Sequence, residues 1–174
     1  MLDAALRTNS PAPYTTGLRT NWGAIWGGMF TFAAIWMVFE ALAVAIFPDR
    51  ASVGMQVWTV FVTIIAMYVA GVETGRLAGL TNRHDGLVHG IIMFGLSVVS
   101  TIVLATLATG IVIGAAAPRA GYIFAFGPGT EWAGFFALLL GWFAAMGGAS
   151  SGVARRSLEL RKPLEPPMEM RPAA

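Results

Sequence analysis

The chain has 174 residues, of which 56% are hydrophobic and only 11% charged, and its net charge is +2. A soluble domain carries about 25% charged residues, so this composition excludes an ordinary soluble fold and marks an integral membrane protein. The absence of cysteine excludes disulfides, thiolate metal sites, iron–sulfur clusters and cysteine nucleophiles, and the basic residues, gathered mainly at the ends, leave no footprint for nucleic acid.

Residues 1–20 are polar and mixed, with Ser10, Pro11 and Pro13. No apolar stretch follows Arg7, so the segment reads as a tail and not as a cleavable signal peptide. The first apolar segment is expected over 22–47, ended by Pro48. Its residues would cover about 39 Å, enough to cross a bilayer with tilt. Trp22 and Trp26 stand where interfacial aromatics belong. Gly23, Gly27 and Gly28 make a small-residue patch that a second helix can approach closely.

The second segment is expected over 56–80. Gly71, Gly75 and Gly79 recur every four residues and so share one helix face. A polar turn follows, and Asp85 has the chemistry of an N-cap for a third helix over 86–117. In that helix Gly86/Gly90 and Gly110/Gly114 repeat the small-xxx-small spacing. Residues 118–130 read as a loop whose Tyr122, Phe124 and Phe126 anchor at the lipid headgroups. The fourth helix is expected over 131–153, with Gly134, Gly141 and Gly148 seven apart and Gly148/Gly152 as one more GxxxG. Residues 155–174 are charged and proline-rich and should not pack as a unit. The fold class is therefore all-α, a bundle of four transmembrane helices with glycine-rich packing faces between two tails.

Basic residues set the orientation. Nine lie before the first helix, between the second and third, or after the fourth, against Arg50 and Arg119 on the other side. Both ends are accordingly expected in the cytoplasm, with the chain in a bacterial inner membrane.

Trp22-x-x-Ile25-x-x-Gly28 opening the first helix resembles a loosely defined group of small, uncharacterised bacterial four-helix membrane proteins. Members also tend to carry Gly-Gly-x-x-Ala-Gly-Arg ending the second helix and His-Gly opening the third. The matching positions here are Ala70, Gly71, Thr74, Gly75 and Arg76, then His89 and Gly90. The first Gly and the Ala of that run are replaced, and Glu73 falls where the group is usually apolar. The resemblance spans roughly residues 22–115 and implies a fold and no activity.

Carboxylates inside membrane helices are functional candidates by default. Glu40 and Glu73 differ in depth by about 15 Å on this reading, too far to share a proton or ion. Glu73 and Arg76 are three residues apart, the spacing of a local helical ion pair. Glu40 has no sequence-local cation and is the candidate intramembrane polar site. His84 and His89 are five apart, on different sides of a helix, so no metal site is expected. One imidazole suffices for axial ligation of haem or a chlorophyll-type pigment, which makes His89 the candidate ligand. A hydrogen-bonded packing role, with no cofactor, is the expectation for it. No phosphate loop, nucleophile elbow or HExxH is present, so no enzyme is expected. The leading expectation is a non-catalytic accessory subunit of a larger bacterial membrane complex, docked onto other membrane subunits and lipid through its glycine faces and both tails. The alternative is a small homo-oligomeric transporter or channel using Glu40.

Overall fold

A computed structural model of the chain describes residues 20–47, 49, 52–111 and 131–161. Four helices occupy them: α1 Trp22–Ile46, α2 Val53–Leu77, α3 Arg83–Ile111 and α4 Glu131–Arg161. All four are long and apolar enough to cross a membrane. The shortest have 25 residues, about 37 Å at 1.5 Å each, against a hydrocarbon core of about 30 Å. The chain is all-α in its described residues, as expected.

Local chemistry sets the boundaries, and several differ from the sequence expectation. Asn21 caps α1, its side chain accepting from the Ala24 N–H at 3.2 Å. Ser52 does the same for α2 through Met55 N–H at 3.3 Å, which starts the helix at Val53 and not at residue 56. The third helix is capped by Asn82 and not by Asp85. The Asn82 side chain accepts from His84 N–H at 3.0 Å, and Asp85 falls inside the first turn. Asn and Asp cap equally well, so the earlier of the two takes the position. The fourth helix continues to Arg161, eight residues past the expected end, because 154–161 is built from good helix formers.

The size distribution is inverted relative to a soluble protein. Buried positions are mostly small, including Ala24, Ala66, Ala70, Ala145 and Ala149. Large apolar side chains such as Phe30, Phe61, Trp132 and Phe143 point outward. In lipid there is no hydrophobic force between helices, and close backbone packing takes its place.

That packing is centred on α2 and α4, which form the most extensive pairing. Two GxxxG motifs interlock across it. A Cβ on Gly71 would meet the Ala145 carbonyl, and one on Gly75 the Ala149 carbonyl. Reciprocally, a Cβ on Gly148 would meet the Tyr68 carbonyl, and one on Gly152 the Val72 carbonyl. The opposite edge of the Ala145/Ala149 ridge receives α3. There a Cβ on Gly90 would lie 2.7 Å from the Ala145 carbonyl oxygen and one on Gly86 3.1 Å from that of Ala149. Helix α1 joins on the other side of α2, where Gly28 rests against Thr74 and the Ala70 carbonyl. The order around the bundle is therefore α1, α2, α4, α3.

Not every glycine expected on a packing face belongs there. Gly79 lies beyond the end of α2 with φ +72°, the left-handed conformation that stops a helix. Gly23 meets only its own cap residue, and Gly27 meets the flexible tip of Leu77. Gly141 makes ordinary contacts of 3.5 Å and more, so the seven-residue spacing of Gly134, Gly141 and Gly148 does not mark one tight seam. The surroundings of Gly110, the position of Gly114, the aromatic loop, residues 1–19 and residues 162–174 lie outside the described residues, whereas 155–161 of the expected tail are helical.

Candidate functional site

Call the end where α1 begins and α4 finishes the proximal end. There the four helices are tied together. His89 of α3 is 2% exposed and uses both ring nitrogens. Its Nε2 accepts from the Asn21 backbone N–H at 3.1 Å. Nδ1 lies 2.8 Å from the Asp85 carbonyl oxygen, so the ring proton sits on Nδ1 and donates to it. With Nε2 engaged in this way, axial ligation of a haem or pigment would first have to break the Asn21 bond. The geometry is that of a packing residue joining α3 to the start of α1.

Glu73 and Arg76 form the expected pair, Arg76 donating at 3.2 Å. Both are exposed enough for solvent screening to leave the pair worth little. A second arginine contributes more to the architecture. Arg156 of α4 donates to the Arg76 carbonyl oxygen at 2.6 Å, satisfying a backbone acceptor at the α2 C-terminus.

Deeper in, a small apolar cluster closes the bundle: Ile25, Met67, Ala70, Met93 and Ala145. Beyond it, towards the distal end, the helices leave a cavity of about 180 Å³ to which all four contribute. Phe32 and Trp36 of α1 and Phe94 of α3 supply aromatic walls, and Thr59, Thr63 and Met67 of α2 supply another side. Gly134 and Ala137 of α4 leave room there by being small. The lining is almost wholly apolar. Two of its hydroxyls bond to their own helices: Thr63 donates to the Thr59 carbonyl at 2.7 Å and Ser97 to the Met93 carbonyl at 2.9 Å.

Glu40 is not among the residues lining this cavity but adjoins one of them, Thr59. It continues the α1 stripe that runs Phe32, Trp36, Glu40 at i, i+4 spacing. Its carboxyl is hydrogen-bonded by Thr59, itself a lining residue. The other helix–helix tie at this level is the Trp58 indole, which donates to the Phe39 carbonyl at 3.2 Å and packs against Phe39 and Phe47. Glu40 Oε1 is nevertheless buried with no hydrogen-bond partner. A buried carboxylate oxygen left unpaired is costly. The described residues hold no group of three or more side chains suited to a metal ion.

Glu40 was legible in the sequence as an acid inside a membrane helix. Thr59, Trp36 and the cavity were not. The signal available was the i, i+4 stripe on each helix, and nothing local says that the two stripes face each other. Comparison with family models, with curated proteins and with solved structures finds no match for this chain.

Proposed function

We propose that this chain is a small multi-pass membrane transporter that accommodates a solute in its distal cavity and couples to charge through Glu40. The observation that carries the reading is a cavity lined by all four helices whose lining residue Thr59 hydrogen-bonds Glu40, an intramembrane acid with one unpaired oxygen. Transporters place their few polar groups inside the bundle next to the substrate, and Glu40 meets that description. The accessory-subunit reading leans on glycine faces available for docking. Gly71, Gly75, Gly86, Gly90, Gly148 and Gly152 instead pack against neighbouring helices of the same chain, which removes its main support. The nine-to-two basic asymmetry supports an orientation with both termini in the cytoplasm.

The test is reconstitution into liposomes holding a pH-reporting dye, with an imposed pH gradient. A panel of one-ring solutes, each either permanently charged or uncharged, is added from outside. At least one class should dissipate the gradient with the wild-type protein and fail to do so with Glu40→Gln. If no class does so, or if Glu40→Gln matches wild type, the transport reading fails.

A further inference from the structure

We infer that the distal cavity binds an uncharged molecule the size of a single aromatic ring, admitted sideways from the hydrocarbon of the bilayer. This names a solute class for the transport reading and rests on that reading for its physiological meaning. The binding step rests on the cavity.

Size is the first constraint. The cavity holds about 180 Å³, and an apolar cavity of about 150 Å³ takes up benzene. Met67 belongs both to the lining and to the buried cluster with Ile25, Met93 and Ala145. That cluster closes the proximal side, which favours a compact body over an extended chain. Access is the second constraint. Ile102 of α3 and Leu138 of α4 line the cavity and are also 57% and 37% exposed. Both lie within apolar membrane spans, so the cavity opens to lipid on the α3–α4 side. An ion reaches such a mouth only at high cost, whereas an uncharged solute dissolved in the bilayer meets it directly.

The lining agrees with the route. Among the described residues that form it none is ionisable, so a charged body would lose its water and find no counter-charge in contact. Phe32, Trp36 and Phe94 offer aromatic surface for a ring to pack on. Their attraction for a cation is weaker than the hydration it would give up. The lining hydroxyls are all neutral. Thr59 bonds Glu40, Thr63 and Ser97 donate to carbonyls of their own helices, and Thr101 adds one more. The carbonyls of the lining helices serve their own backbone hydrogen bonds. Such walls tolerate one polar substituent on the ring and supply nothing to hold a charge.

The experiment is photolabelling of the full chain in phospholipid nanodiscs with phenyl(trifluoromethyl)diazirine, a single-ring carbene precursor, followed by peptide mapping. Labelling at the lining residues Thr63, Phe94 and Ala137 should saturate with probe concentration. Excess toluene should suppress it about tenfold, while benzyltrimethylammonium and benzenesulfonate at the same concentration should leave it unchanged. Labelling at the lipid-facing Phe61 and Phe143 should rise linearly with probe and ignore toluene. Ala137→Phe places a ring in the cavity itself and should abolish the saturable component alone. Two results overturn the inference: lining residues whose labelling is linear and indifferent to toluene, as when lipid tails fill the space, or competition by either ion equal to that of toluene. Both are read on the wild-type protein, so a misfolded Ala137→Phe variant does not blunt the test. The two readings also fail separately. Saturable labelling without solute-driven dissipation in liposomes sinks transport and leaves the site. Dissipation driven by a charged solute, with no saturable labelling, sinks the site chemistry and leaves transport.

Discussion

The backbone N–H of Asn21 donates to Nε2 of His89 across 68 residues of sequence, at 3.1 Å. Asn21 is also the cap of α1, and His89 anchors itself to Asp85 one turn earlier on α3. One imidazole thus fixes the start of the first helix to the third. His89→Ala should remove two hydrogen bonds, each worth about 1 kcal/mol, and leave a void, for a total loss of about 3 kcal/mol. His89→Gln keeps an acceptor and a donor and should recover about half. Unfolding by titration with a denaturing detergent, followed by helical circular dichroism, measures both.

The glycine seam predicts a graded series. Gly75→Ala places a methyl against the Ala149 carbonyl, and Gly148→Ala places one against the Tyr68 carbonyl. Each should cost about 2 kcal/mol through forced separation of α2 and α4, and Gly75→Leu should prevent assembly of the bundle. Gly95→Ala meets nothing within 4 Å and should be neutral or stabilising. Gly79→Ala should cost about 1 kcal/mol for a different reason, its positive φ. Equal stability of the Gly75 and Gly95 alanine variants would refute the seam.

Charge reversal separates the Glu73–Arg76 pair from its setting. The pair is exposed, so a double-mutant cycle should give a coupling of about 0.5 kcal/mol or less. Arg76 lies in the last turn of α2, where the helix dipole favours a cation. Glu73→Arg with Arg76→Glu should therefore recover the coupling but remain a few tenths of a kcal/mol below wild type. A double mutant worse than both singles would show that the two side chains are not coupled in this way.

Topology is open to a clean labelling test, because the chain has no cysteine of its own. Cysteines introduced at Ser10 and Ser157 should both resist an impermeant maleimide in intact cells. One at Asp49, in the distal turn between α1 and α2, should react. Labelling at only one of the first two positions would mean an odd number of spans.

The sequence alone determined that there are four long apolar helices, roughly where they lie, and which residues are chemically unusual among them. These properties are local. A run of apolar residues is enough to select a membrane helix, and Glu40, His89 and the Glu73–Arg76 spacing can be read without knowing any neighbour. It also located Gly71, Gly75, Gly148 and Gly152 as places of close approach, because only glycine lets backbones meet there. What it left open was which face meets which. These helices are apolar around nearly their whole circumference, and lipid gives no contrast between an inward and an outward apolar face. Only the tertiary structure showed that the two GxxxG motifs interlock with each other, that Gly79 ends a helix instead of packing one, and that Ala145 and Ala149 form the ridge between α2 and α3. It likewise decided that Phe32 and Trp36 of one helix and Thr59 and Thr63 of another line one cavity, and that Glu40 meets Thr59 beside it.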